Sequence, residues 1–550
     1  MSTATTTAPQ THRAPQRAGA LTGLGTLLRF NLRRDRVRLP VWILGTVLAT
    51  VSTAVSYESI YPTAADRAAA LLTINNPGTT ALIGAVYGDG DYTYGIMVGH
   101  QLVALISVLA ALMSIFTLVR HTRLEEETGR AELVRASVVG RHAGTVAAVT
   151  VVVGANVVLA LLLAVGLGSL GIDTVTWEGS LLFGAAIGAV GLVFAGVAAV
   201  SVQLTENART ASSIAGLTLA AAYVLRAIGD VGEGWISWLS PIGWSQATET
   251  YDSNSWAPLG ISLAAAVLLL GVAVPLSRRR DVGAGLFGTR PGPASAGGLL
   301  GSPLGLAVRL LRGTVIGWGL ALFLFGIMYG PVLSEADTFL EDLPIMAEFL
   351  PDIGDATGAE LFGATVLAVA AILAAVPAVQ IALRLRAEET AGRAGPLLAT
   401  PVSRVRWVGA YLTVAVVGGA VVLLALGLGM GLGAGWSLSD MSWVGAAVGA
   451  ALSYLPATAV LVGVAALLFG VAPRAAGWAW APLGFAVVVM YFGGLLDFPQ
   501  WLIDVSPYAH VPQQPAAAFD LAPLLWLTGI AAVLVAAGLA GVRRRDVLDA

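Results

Sequence analysis

Two short stretches carry most of the charge that this chain could use for recognition: Arg123-Leu124-Glu125-Glu126-Glu127-Thr128-Gly129-Arg130-Ala131 and Arg386-Ala387-Glu388-Glu389-Thr390-Ala391-Gly392-Arg393-Ala394. An arginine offers a planar, permanently charged fork suited to a protein interface. The plainer reading of one such loop is a solvated segment anchored by its arginines beside a membrane. A matched second copy favours the docking reading. Asp89-Gly90-Asp91 is a third candidate, a carboxylate pair of the kind that holds a divalent cation. Gly88 and Gly90 suit a turn, which is the favoured reading, and no counterpart occurs in the second half. Covalent chemistry is poorly provided for. There is no cysteine, and all 30 basic residues are arginine. That excludes thiolate nucleophiles, phosphate-binding loops built on lysine, and lysine Schiff bases.

The elements that must position these loops are membrane spans. Hydrophobic residues make up 57% of the 550 and charged residues only 11%, where an average soluble protein has about 25% charged. The 66 glycines fit membrane helices, which tolerate glycine well. The net charge of -3 suggests no nucleic-acid partner. Twelve apolar runs approach the roughly 20 residues needed to cross a bilayer. They are Val41–Tyr57, Met97–Val119, Ala143–Leu170, Leu181–Leu204, Ala211–Ile228 and Pro258–Leu276, then Val315–Leu333, Leu361–Leu383, Val408–Leu432, Val444–Val471, Ala475–Leu496 and Leu521–Val542. Backbone groups in lipid must bond within their own segment, so these runs are expected to be helices. With the N-terminus inside, only Arg67 and Arg226 fall outside the inner segments. The arginine bias thus puts both termini in the cytoplasm.

Residues 1–20 read as a disordered cytoplasmic tail without the apolar core of a signal peptide. Leu21, Leu24, Leu28 and Leu32 then line one face of an amphipathic lead-in helix. Residues 283–301, rich in Gly, Pro and Ala, form a linker between a first half at 21–282 and a second at 302–550. The halves repeat. The two charged loops lie 263 positions apart, while Trp235 with Ser240-Pro241 returns 266 positions later as Trp501 with Ser506-Pro507. Arg278-Arg279-Arg280-Asp281-Val282 returns as Arg543-Arg544-Arg545-Asp546-Val547, 265 positions on. Arg209 and Arg474 repeat at the same offset, and Leu304, Val308 and Leu311 repeat the lead-in. The expected fold is an all-α polytopic membrane protein with about twelve transmembrane helices in two parallel six-span repeats.

At the repeated Glu-Glu-x-x-Gly-Arg loops the sequence resembles the permease subunits of type-2 ABC exporters. More narrowly, it is similar to fused, double-length actinobacterial permeases described as exporters of polyketide antibiotics or as multidrug efflux components. The resemblance implies a connector helix and six spans per half. It also implies a coupling helix after the second span, docking on a separate cytoplasmic ATPase present in two copies. The matching stretches are Arg123–Arg141, with Glu125, Glu126, Gly129 and Arg130, and Arg386–Arg404, with Glu388, Glu389, Gly392 and Arg393. An inner loop of about 20 residues is long enough for a helix of several turns. The second loop ends Thr400-Pro401-Val402-Ser403-Arg404, as the family motif does, where the first has Ser137-Val138-Val139-Gly140-Arg141.

The resemblance further implies short outer helices before the last span of each half. Trp235, Ser240 and Pro241 stand there, and Trp501, Ser506 and Pro507 in the second half, as an outer gate or as interfacial anchors. The family's path is lined by the second and fifth spans of each half. These offer Met113, Phe116 and Tyr223 in the first half, and Trp480, Phe485, Met490 and Tyr491 in the second. Such side chains give an adaptable apolar surface, or ordinary packing. Gln101 and Asn156 are candidates for polar contacts or interhelical bonds, and the arginine triplets for topological anchors. The expected function is an ATP-driven export permease for a hydrophobic compound. It binds no cofactor or metal itself, because ATP and Mg sit on the partner. A proton-coupled secondary transporter would need ionisable groups at membrane depth, where only His100 and Arg226 come near. A lipid-donor glycosyltransferase would rest on Asp89-Gly90-Asp91 alone.

Overall fold

Each long apolar run becomes a helix, because in lipid only intra-segment hydrogen bonds satisfy the backbone. The computed structural model describes residues 19–75, 77–88, 91–281, 283–288, 294–336, 356–493 and 498–545, and no strand occurs among them. The tail before Gly19, Asp89 and Gly90 of the carboxylate pair, and Asp546-Val547 lie outside the described residues.

In the first half α1 (Leu24–Arg34) precedes the long α2 (Arg38–Ile60), and two short helices, α3 (Ala64–Ile74) and α4 (Pro77–Ile83), lead to α5 (Tyr94–His121). Next come α6 (Arg123–Glu127), α7 (Arg130–Arg135), α8 (Ala143–Gly168) and α9 (Trp177–Leu204). The half closes with α10 (Ala208–Val231), α11 (Pro241–Gln246) and α12 (Ala257–Arg278). The second half runs α13 (Pro303–Tyr329), α14 (Gly358–Thr390), α15 (Ala394–Leu398), α16 (Arg404–Ser437), α17 (Ser442–Ser453) and α18 (Leu455–Val471). It ends with α19 (Ala481–Phe492), α20 (Gln500–Ile503) and α21 (Leu521–Arg544). The chain divides into two compact units, residues 1–291 and 292–550. Within them α5, α9 and α14 are mostly buried, whereas α2, α10, α12, α13 and α21 turn most of their surface outward.

Among the described residues eleven helices are long and apolar enough to cross a membrane, so the protein is an all-helical polytopic membrane protein. About twelve are expected, and the run not among the eleven is Ala475–Leu496. Of that run, residues 475–492 lie in a 3₁₀ segment, Pro473–Trp480, and in α19, and residues 494–496 lie outside the described residues. Pro482 has no N–H for the carbonyl of Trp478, and its ring crowds that turn. The corresponding α10 has no proline and is continuous. A second departure concerns the lead-in of the second half. Leu304, Val308 and Leu311 belong to α13 itself, which starts on the Ser302 cap and Pro303 without a break before the span. In the first half the chain does break, at Asp35 between α1 and α2.

Candidate functional site

The two charged loops fold around a glycine in the left-handed region, Gly129 at φ 72° and Gly392 at φ 69°. Nothing lies within 4 Å of where a side chain would stand, so backbone conformation and not space requires glycine there. Gly129 N–H donates to the Glu126 carbonyl (3.1 Å), and Gly392 N–H to that of Glu389 (3.0 Å). In the second half Arg393 N–H also reaches the Glu388 carbonyl, completing a Schellman end on α14. The first loop is therefore two short helices, α6 and α7, hinged at glycine, and the second is the end of the long α14 followed by the short α15; neither is the single helix of several turns that its length allowed.

The glutamates ahead of the hinge point inward. Glu126 accepts from Arg280 at both oxygens, 3.0 Å at Oε1 and 2.8 Å at Oε2, and from Arg123 at Oε2, 2.8 Å. Its counterpart Glu389, 1% exposed, accepts from Arg545 at 2.6 and 2.9 Å. Arg280 and Arg545 are the third arginines of the two triplets, so the last span of each half is forked onto the loop after the second span. The sequence assigned those triplets only an anchoring role. The usable signal was the nearly equal spacing of glutamate and arginine within each half, 154 and 156 residues.

The knot is larger in the first half. Arg123, fully buried, donates to the carbonyls of Val202 and Ala284, supplying a last-turn carbonyl of α9 with the donor it lacks within the helix. Arg280 Nε donates to Gln203 (2.6 Å), and Glu127 accepts from the first N–H of α10, Ala208 (2.9 Å). In the second half Leu468 replaces Gln203, and the Arg545 guanidinium instead lies over the Phe469 ring at 4.7 Å. Arg404 donates to the carbonyl of Arg545 (2.5 Å), whereas Arg141 is exposed. Glu125 pairs with Arg34 at 2.5 Å and stands 3.7 Å from Arg130; Glu388 pairs with Arg384 and Arg393 at 2.6 and 2.5 Å. Arg386 is half-buried, and its Nη1 has no hydrogen-bond partner.

What each loop shows to the outside is different. Arg130 and Arg393 have 56% and 54% of their side chains exposed. Leu133 and Val138 of the first loop are each 77% exposed, and the second loop carries Pro396 and Pro401 at those places. Such a surface is not a metal site: no cluster of three metal-ligating side chains occurs among the described residues. It can dock.

On the opposite face of the first half, four side chains converge on the end of α4. Arg226, fully buried, donates to the carbonyls of Thr80 (3.4 Å), Ala81 (2.9 Å) and Leu82 (3.0 Å). Tyr223 also reaches Leu82 (2.5 Å), and Gln246 reaches Ile83 (2.9 Å). His100 Nε2 donates to the Gly84 carbonyl at 3.0 Å, so its Nδ1 is the acceptor for Tyr92 O–H at 2.7 Å. Both ionisable residues near membrane depth are thus spent on capping a helix. Their places in the second half hold Tyr491, Val488, Pro512 and Gly363.

The remaining path and gate candidates are scattered. Met113 is buried, Phe116 exposed beside Trp42 and Arg120 in a surface hollow, and Trp480 and Tyr491 exposed. Phe485 is half-buried. Met490 and Ser506 come together in a cavity of about 360 Å³ beside Tyr454 and Tyr508, whose rings stack at 6.1 Å. Ser240 caps α11 with Pro241 at its first position, and Pro507 opens a 3₁₀ turn; Trp235 and Trp501 are exposed. Asn156 bonds α8 to α5 through Ser114 (2.8 Å), and Gln101 accepts from Tyr57 (3.0 Å).

Comparison with known proteins completes the picture. Two stretches, residues 24–277 and 300–543, match the model of the family described as multidrug efflux system permease Rv1217c, C-terminal domain. The chain is 42% identical over 545 residues to the multidrug efflux system permease protein Rv1217c of Mycobacterium tuberculosis, covering 98% of each. The protein belongs to the multidrug efflux system permease family of Rv1217c.

Proposed function

We propose that the chain is the membrane permease of an ATP-driven exporter, moving a hydrophobic compound, such as a drug or polyketide antibiotic, out of the cell. The name of the 42% identical relative supports efflux. One observation carries the energy source. Each loop is held from behind by a buried Glu–Arg fork while Arg130, Leu133 and Val138, or Arg393, stand out from it. Exposed apolar side chains beside arginine on a braced loop are what a docking partner needs. A cytoplasmic ATPase, two copies per permease, would take this surface and supply the ATP and Mg sites. Its closure would push the loops, and the forks would pass the push to the last span of each half. Both termini lie in the cytoplasm on this reading, in a protein of the cell membrane, and the permease itself is no enzyme.

The test uses inside-out vesicles and the ATPase that co-purifies with the chain. Export is expected to require ATP. The triple variant Arg130→Glu/Leu133→Asp/Val138→Asp should lose ATPase from the purified complex while keeping normal membrane yield. Export on a proton gradient without ATP would replace this reading with a secondary transporter.

A further inference from the structure

At the arginine-rich end of the first half, α8 and α12 part to leave a cleft of about 270 Å³. Its floor is Leu118, Ala199 and Val202, and its walls are Val146, Val149 and Val274. Thr145, Thr150, Val274 and Arg278 are exposed, so the cleft opens sideways from the helices. At its end stand His142 and Arg278. Among the described residues neither has a salt-bridge partner, in contrast to Arg280 and Arg123, which both pair with Glu126. No carboxylate lines the cleft.

We infer that this cleft is a binding site for one phospholipid with an anionic headgroup. An acyl chain would lie along Val146, Val149 and Val274, and the phosphate would meet Arg278 and His142. A guanidinium suits phosphate oxygens. With no carboxylate present, nothing would hold the ammonium of a zwitterionic headgroup, and this gives the preference for net negative charge.

The second half explains why one chain holds one such lipid. Arg543 repeats Arg278, but Val405, Val408, Leu468 and Val542 replace His142, Thr145, Gln203 and Ser277. Gly538 stands where the first half has Ala273. A side chain there would come within 2.4 Å of the Ala466 carbonyl, so α18 and α21 meet backbone to backbone. The equivalent cleft is closed by this contact.

Native mass spectrometry of the full-length protein in detergent tests the site, with phosphatidylglycerol and phosphatidylcholine as probes. One phosphatidylglycerol per chain should be retained in preference to phosphatidylcholine. Arg278→Gln should weaken it about fivefold, the effect of one basic residue near a lipid surface, and Val149→Trp should abolish it by filling the cleft. Arg543→Gln should change nothing. Arg278 has no protein ion-pair partner among the described residues, so its variant should fold, and an unchanged melting temperature checks that. Equal retention of the two lipids, equal loss in Arg543→Gln, or displacement by an apolar drug with no effect of phosphatidylglycerol would each overturn the proposal.

Discussion

Glu126 and Arg280 lie 154 residues apart and face each other as a two-point fork, with both carboxylate oxygens and both terminal guanidinium nitrogens engaged. Glu389 and Arg545 make the same fork in the other half. The pairs are nearly buried, so removing one partner strands a charge. The cost of that is about 3–5 kcal/mol where burial is complete. Glu389→Ala should accordingly lower the melting temperature in detergent, followed by tryptophan fluorescence. The exchange Glu389→Arg/Arg545→Glu should recover much of the loss. The exchange Glu126→Arg/Arg280→Glu should not, because Arg123 also faces position 126.

Gly129 and Gly392 should reject alanine even though both have room for it. The cost is that of the left-handed backbone, about 1–2 kcal/mol. Gly392→Asn should be milder than Gly392→Ala, since asparagine tolerates this region better. Thermal unfolding of the three proteins gives the order.

Asp35 breaks the helix between α1 and α2 and accepts from His121, with Arg120 at 3.5 Å. Burial pushes its carboxyl pKa up, but the His121 hydrogen bond and the charges of His121, Arg120 and Arg38 outweigh this and hold it below the usual value. A lowered folded-state pKa contributes stability that is complete above the unfolded value, about 3.9, and is lost as pH falls through the folded one. Asp35→Asn should therefore be less stable than the parent at pH 7, and the gap should shrink below about pH 4. Melting temperatures across that range test the sign.

Much of the architecture was legible because a bilayer leaves few choices: the long apolar runs marked the helices. The 3₁₀ break before Pro482 needed attention to one proline within an apolar run. The orientation of the charged loops was not legible. Composition gives Glu126 and Glu389 as hydrophilic, and only their forks to Arg280 and Arg545 show that they point inward while Arg130, Leu133 and Val138 point outward. Charge reversal at the two glutamates consequently probes folding, and the proposed docking surface has to be tested at the outward residues. The α4 cap escaped for a similar reason: Arg226, His100, Tyr223 and Gln246 are spread over 147 positions and share no motif.

Arg226 supplies the last prediction. Its side chain is fully buried, bonds three carbonyls of α4 and lies 3.2 Å from Asp230, which also accepts from Ser237. Arg226→Met removes all of this at once. The carbonyls of Thr80, Ala81 and Leu82 lose a donor, although Tyr223 still serves Leu82, and Asp230 is left as a buried charge with one hydroxyl. The stranded carboxylate should dominate the loss, so Arg226→Met/Asp230→Leu should be more stable than Arg226→Met alone. The cap itself stays broken in both variants. Hydrogen exchange over residues 77–84 should therefore rise in the single and the double variant alike, while melting temperature separates them. Equal melting temperatures would mean that the carbonyl contacts, not the ion pair, account for the role of Arg226. Unchanged exchange would mean that Tyr223, Gln246 and His100 suffice to hold α4.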